Sequence, residues 1–383
     1  MNNIAGTKSG LSWAVNISVV LLVSLWLFPT VGLLVSSFRT TDQISGSGWW
    51  QSMFTQEQNS TLRASDPDDG AQQLVEDLFV IEGNLFEGRN PATISVWGTS
   101  SRAIDVYVPG ETADLGDGEA ITVQANGDYR QTSPIEMTGR GQRVFVTASA
   151  PPEFTLDNYK TILSGGVTEG GMSKAFFNTL TVTIPATIIP IVIAAFAAYA
   201  LAWMDFPGRA IMVAFVVGLL VVPLQLALIP LLRLHLGIGI GKGYLGVWLA
   251  HTGFGLPLAI YLLRNYMVGL PRDIIENAKV DGATDFQIFT KIILPLSFPA
   301  LASFAIFQFL WTWNDLLVAK VFLIDATGET TVMTNQIVEL LGTRGGNWEI
   351  LSTAAFVSIA VPLVVFFAMQ KYLVRGLLAG SVK

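Results

Sequence analysis

Acidic and basic residues are spaced along this chain so as to leave six long stretches with no charge at all. These are Ser9–Phe38, Ala175–Met204, Ala210–Leu232, Gly243–Leu263, Ile292–Asn314 and Ile350–Gln370. A helix needs about 20 apolar residues to cross a bilayer, and each run reaches that length. The pattern predicts an all-α polytopic membrane protein with six transmembrane helices, over 9–38, 175–204, 210–232, 243–263, 292–322 and 350–370. The first run is long and has no small-x-small cleavage site near its end, so it reads as a permanent span and not as a removable signal.

Between the first and second runs the periodicity changes. Leu78–Ile81, Thr93–Trp97, Ala103–Val108, Ala120–Gln124 and Arg143–Thr147 are short stretches rich in Val, Ile, Phe, Tyr and Thr. Turn-forming clusters such as Pro109-Gly110, Gly116-Asp117-Gly118 and Asn126-Gly127-Asp128 separate them, which is the signature of a strand-rich module. Residues 40–150 are therefore expected to form a small β-rich insert, a sandwich or barrel. Gln51–Gly70 reads as a polar, flexible lead-in, and Pro151-Pro152 ends the module. Residues 151–383 then form the remaining membrane core.

Composition agrees with this division. The chain has 383 residues, of which 51% are hydrophobic and 13% charged, about half the charge of a soluble domain. Residues 40–170 hold 19 acids and 7 bases, a local balance of −12, whereas the remainder carries +5. An acidic, water-soluble module is thus set into a basic-flanked membrane protein. Cys is absent, which excludes disulfides, thiolate metal sites and thiol catalysis. His235 and His251 have no carboxylate cluster beside them in sequence and read as packing or interfacial residues. Lys and Arg near the span ends favour one face by nine to six. The positive-inside rule then puts both termini and the 264–291 loop in the cytoplasm, with the insert and the rest of 40–174 outside.

The segment Glu276–Pro295, ENAKVDGATDFQIFTKIILP, breaks the hydrophobic pattern most sharply. Pro271 suits the start of a helix, and Ile274, Ile275 and Ala278 would share one face while Glu276, Lys279 and Asp281 point elsewhere. Gly282 permits a tight turn. A second amphipathic piece follows through Ile288, Phe289, Ile292 and Ile293, and Pro295 opens the next span. Two short helices meeting at an angle would form a knob between spans, a natural docking surface over 271–295.

In this order of residues the chain resembles the permease subunits of bacterial ABC importers. Glu276, Ala278, Gly282, Ile292, Leu294 and Pro295 fill the positions of their "EAA" loop, and Asn277 stands where an alanine is usual. Further stretches resemble the maltose-type carbohydrate branch: Ser37-Phe38-Arg39, Phe154 through Tyr159, Phe177-Asn178-Thr179-Leu180, Ala197 through Leu201, Trp313-Asn314-Asp315, Asn347-Trp348 and Val374 through Gly380. An insert of this length after the first span looks like the α-glucoside permeases of that branch. The resemblance implies the ABC importer permease fold and a bacterial inner-membrane location. It also implies a second permease subunit, two ATP-binding subunits that hold ATP and Mg, and a periplasmic sugar-binding protein. Glu276, Ala278, Lys279, Asp281, Gly282 and Ala283 would contact an ATPase, and the tail around Gly376 and Gly380 would reach the same subunits. The loop of about 325–348, with Asn347 and Trp348, would probe the binding protein.

Candidates for the solute path are Gln225, between Pro223 and Pro230, and Trp311, Trp313, Asn314 and Asp315. Aromatic faces stack on sugars and amides or acids bind hydroxyls, but Trp also favours membrane interfaces and Asn314 could bond between helices. Gly241 through Gly246 matches G-x-G-x-x-G, yet no strand precedes it, so it is not a dinucleotide site. No P-loop occurs. The chain reads as a sugar-transport subunit without enzymatic activity or a cofactor of its own, and without a nucleic-acid partner. Competing readings are a self-contained secondary transporter, which would carry ionisable relays within its spans, and a membrane-anchored external sensor or enzyme.

Overall fold

The computed structural model describes residues 10–69, 72–87, 91–164, 171–324, 327–343 and 346–379. The chain divides into two compact units, Met1–Tyr159 with Gly346–Thr353, and Lys160–Gly345 with Ala354–Lys383.

The first unit opens with α1, Gly10–Ser36, a helix with mean hydropathy 2.3 whose apolar side chains are exposed nearly all round. A helix apolar on every face is built for lipid. The chain then turns sharply. Thr40 and Gln43 form a reciprocal capping box for α2, Thr41–Gly46. Buried Arg39 donates to the Gln43 carbonyl at 2.6 Å and to the Ser47 carbonyl at 3.0 Å. Asn158, at the start of α3 (Asp157–Leu163), donates to the carbonyls of Ser37 and Arg39 at 3.0 and 2.9 Å. Two stretches singled out in sequence, 37–39 and 154–159, are therefore one hydrogen-bonded junction.

The insert is a β-sandwich of two antiparallel sheets. One has the order β1 (Gln56–Arg63), β8 (Arg143–Ala150), β4 (Thr93–Gly98). The other runs β2 (Gln72–Val75), β3 (Leu78–Asn84), β7 (Asp128–Ser133), β6 (Glu119–Val123), β5 (Thr112–Gly116). Side chains of alternating direction from both sheets, among them Ile81, Ile94, Trp97, Ile121, Val144 and Val146, fill the space between. The Trp97 indole N–H, buried with the ring, donates to the Val108 carbonyl at 3.2 Å. Two expectations need correction. Ala103–Val108 is not a strand, since only isolated bridges pair Ala103 with Ser100 and Tyr107 with Trp97. Gln51–Gly70 is not a flexible lead-in: β1 occupies its middle and pairs with β8 from Gln56 to Arg63, with Glu57, Asn59, Thr61 and Arg63 exposed and Gln58 and Leu62 buried.

In the second unit α4 (Gly171–Trp203) and α7 (Tyr244–Val268) pack closely. Ala194, Ala195 and Ala198 on α4 and Ala259 on α7 are buried there, small side chains that let helix backbones approach without a large hydrophobic driving force. The third predicted span is broken. α5 (Arg209–Leu219) and α6 (Leu224–Gly237) meet at 108°, because Val222 precedes Pro223 and is disfavoured in helical conformation. After α7 come α8 (Arg272–Val280), α9 (Asp285–Ile288), a π turn over Phe289–Ile293 and α10 (Leu294–Leu296). The fifth span, expected as 292–322, is likewise interrupted. α11 (Phe298–Trp313) lies 70° from the Asp285–Leu296 segment, and α12 (Leu317–Phe322) is separate from it. The Asp315 carboxylate takes the N–H groups of Val318 and Ala319 at 3.3 and 3.0 Å and so starts a new helix. The region 325–348, read as a loop, contains α13 (Met333–Thr343), and α14 (Trp348–Ala379) completes the chain. Among the described residues four helices are long and apolar enough to cross a membrane, or six if each bent pair is one span.

Candidate functional site

The loop between α7 and α11 is built around one joint. At the end of α8 the N–H of Gly282 bonds the Lys279 carbonyl at 3.1 Å and that of Ala283 bonds the Ala278 carbonyl at 3.0 Å. This double closure is a Schellman stop, and it needs a left-handed residue, supplied by Gly282 at φ +80°. Ala278 and Ala283, the two ends of the closure, both pack on the core. The spacing Ala-x-x-x-Gly-Ala is thus a helix terminator. A helix start follows at once, with Thr284 and Gln287 in a capping box at 3.3 and 2.9 Å.

One side of this elbow is anchored. Ile275, Ile288, Phe289 and Ile293 are buried among Ala198, Tyr199, Leu263, Met267 and Leu301, residues of α4, α7 and α11. Phe289 lies 4.6 Å from the Phe196 ring and 5.3 Å from that of Tyr199. The other side is free. Glu276 faces solvent with only a loose pair to Arg272 at 3.6 Å, and Lys279 lies 4.0 Å from Asp285. Such exposed pairs contribute little, which leaves the charges available to a partner. Sequence reading missed two residues here: Val280 is 86% exposed and Phe286 64% exposed. Their apolar character hid them, since a hydrophobic residue in an amphipathic segment is ordinarily assigned to the buried face. Ile274, expected on that face with Ile275, is 41% exposed and belongs with them. The anchored side of the elbow thus packs on three helices at once, α4, α7 and α11.

The family described as binding-protein-dependent transport system inner membrane component matches residues 175–378. The chain belongs to that family. It is a transport component of the inner membrane and not an enzyme, and its elbow lies inside the matched segment. The chain is 61% identical over 382 residues to the alpha-glucoside transport system permease protein AglG of Rhizobium meliloti, covering 98% of each. It is 58% identical over 231 residues to the osmoprotective compounds uptake permease protein GgtD of Synechocystis sp., 60% of this chain and 76% of that one. To the arabinooligosaccharides transport system permease protein AraQ of Bacillus subtilis it is 33% identical over 233 residues, 61% of this chain and 80% of that one.

Within this permease the other singled-out residues do not form one site. Trp313 is fully buried, its indole N–H bonded to the Ser358 carbonyl at 3.0 Å and its ring stacked on Phe309 at 5.6 Å. It packs in the core of this structure, against Phe309 and beside Ser358. Asn314 is exposed and its amide donates to the Leu310 carbonyl at 2.8 Å, at the end of α11. Asp315 is held by the start of α12, and its Oδ2 lies 3.7 Å from Nε2 of fully buried His251. That neighbour is 64 residues away in sequence, beyond reach of a local pattern. Gln225 is exposed in the first turn of α6. Trp311 is 40% exposed and lines a cavity of about 410 Å³ with Leu219, Leu224, Leu231, Phe254 and Leu258, at the break between α5 and α6. Trp348, the first residue of α14, is exposed, and Asn347 just ahead of it is half-buried. Gly376 lies in α14, and Gly380 falls outside the described residues.

Proposed function

We propose that this chain is one of two permease subunits in an ATP-driven sugar importer that carries α-glucosides or related oligosaccharides inward. The observation that carries this reading is the elbow at 272–296: a helix stop and a helix start in direct succession, rooted in three spans, with Glu276, Asp281, Val280 and Phe286 on its free side. Two cytoplasmic ATPase subunits, which bind ATP and Mg, receive Glu276, Ala278, Lys279, Asp281, Gly282 and Ala283. Their closure tilts the spans and switches a central cavity from one face to the other. A ligand that binds both states equally shifts nothing, so hydrolysis in the partners drives the cycle.

The α-glucoside assignment rests on likeness to AglG along the insert as well as the core. Core likeness alone also reaches permeases named for osmoprotective compounds and arabinooligosaccharides. In this reading each bent pair is one span, giving six, with both termini cytoplasmic and 40–174 periplasmic. A periplasmic sugar-binding protein delivers solute near Asn347 and Trp348, and the tail with Gly376 and Gly380 reaches the ATPases. Trp311 and Gln225 border the path. Uptake of labelled glucosides and other sugars into proteoliposomes holding this chain with its partners tests the proposal. ATP-dependent uptake of α-glucosides supports it, and uptake by this chain alone without ATP contradicts it.

A further inference from the structure

The segment that joins α1 to the sandwich behaves unlike the acidic module around it. From Gln43 to Gln56 it carries no charge, and it reads Trp49-Trp50-Gln51-Ser52-Met53-Phe54 at its centre. It forms a tight turn, with Ser52 N–H bonded to the Trp49 carbonyl at 3.2 Å and Phe54 N–H to that of Gln51 at 2.9 Å. This turn folds back along α1. Trp49 lies 4.6 Å and Trp50 6.2 Å from the Phe28 ring, centre to centre. Gly32 allows the approach, since a Cβ there would stand 2.6 Å from the Trp49 indole nitrogen.

Gly32 and Phe28 precede Ser36, the end of α1, by four and eight residues. At about 1.5 Å per residue the two Trp side chains therefore sit roughly 6–12 Å below the end of a membrane-crossing helix. That is the depth of the headgroup–acyl boundary, where interfacial elements bury about 5–10 Å. Away from α1 the turn is little covered by the described residues: Trp50 is 60% exposed, Met53 68% and Phe54 67%. A second exposed pair, Phe154 and Leu156, flanks Thr155, whose N–H bonds the Phe38 carbonyl at 2.8 Å just past the end of α1.

We infer that residues 49–54 form an interfacial foot that seats the sandwich in the lipid leaflet adjoining it, with Trp50, Met53 and Phe54 in contact with lipid. Continuity with α1 commits the occupant. These side chains flank a helix whose own surface is lipid-facing, at a depth where lipid and not water is the solvent. Trp at such a boundary gains from an apolar ring and a polar N–H at once. The foot fixes the sandwich on the bilayer at two points, the end of α1 and the turn beside it, instead of leaving it on a single tether.

The absence of native Cys makes the test direct. Trp50→Cys, Met53→Cys and Phe54→Cys are spin-labelled singly in the complex reconstituted with cysteine-free partners, with Leu21→Cys in mid-α1 and Thr112→Cys on β5 as lipid and water references. Retained uptake by each variant establishes that it has folded. Lipid contact gives oxygen accessibility near that of Leu21 and several-fold lower access to a water-soluble nickel chelate than at Thr112. Nickel access matching Thr112 would mean the foot is in water, and shielding from both reagents would mean a protein covers it; either overturns the inference. A reading without any variant comes from photo-crosslinking the native complex with a diazirine phospholipid. Adducts on the peptide holding 49–54 support the foot, and labelling of α1 without any there contradicts it.

Discussion

The Tyr199 hydroxyl donates to Asp285 Oδ1 at 3.3 Å, across 86 residues of chain. The same carboxylate oxygen lies 4.0 Å from the Lys279 ammonium. Asp285 therefore bridges both arms of the elbow and the C-terminal end of α4. Together with the buried Phe289, which packs on Phe196 and Tyr199, this contact joins the elbow to α4.

Tyr199→Phe removes the hydrogen bond and keeps the ring against Phe289. A single net hydrogen bond contributes about 0.5–1.5 kcal/mol, so the variant should assemble and lose part of its solute transported per ATP. Asp285→Ala removes both tethers and should lose more. Paired uptake and ATPase assays in proteoliposomes measure this ratio.

Gly282 has φ +80° and nothing within 4 Å of where a Cβ would stand. Alanine there meets no clash, and its whole effect is conformational, about 1–2 kcal/mol. Gly282→Pro also removes the N–H bonded to Lys279 and forbids the left-handed turn. Uptake should fall modestly for Gly282→Ala and be lost for Gly282→Pro, with membrane insertion retained in both, as read by uptake against the amount of assembled complex.

How far the sequence could be read follows from which forces are local. Uncharged runs located the long helices, because excluding charge from lipid acts on each residue separately. The breaks at 220–223 and at Ser297 were harder: a composition count carries no direction, and Pro223 or Pro299 could equally have kinked a continuous helix. In the sandwich, strands with an apolar stripe were found, whereas β1, with the sequence QEQNSTLR, was not. Its place depends on pairing with β8, about 80 residues later. The elbow's joint was legible because Gly282 serves a local turn. The free side of the elbow was not, since exposure of Val280 and Phe286 depends on which face α4 and α7 cover.

Glu276→Lys reverses a charge on a side chain 65% exposed. Surface substitutions of this kind stay within about 0.5 kcal/mol in stability, so thermal unfolding should hardly move. Stimulation of the partner ATPase by sugar-loaded binding protein should nevertheless fall sharply. An unchanged stimulation in this assay would remove Glu276 from the contact.

Trp97 is fully buried at the centre of the sandwich. Trp97→Ala leaves a cavity and removes one of the two hydrogen bonds to the Val108 carbonyl, and truncations of this size cost about 3–5 kcal/mol. Limited proteolysis should cut the variant within 56–150 while the spans from α4 onward remain protected in the membrane.

The central claim is that the elbow docks on a separate ATPase, and Val280 offers the most direct test. With no native Cys, Val280→Cys carries a single photoactivatable cross-linker in the reconstituted importer. The account predicts a covalent adduct with the ATP-binding subunit and loss of uptake once it forms. An intact, transporting complex that never yields this adduct at any stage of the nucleotide cycle would contradict it.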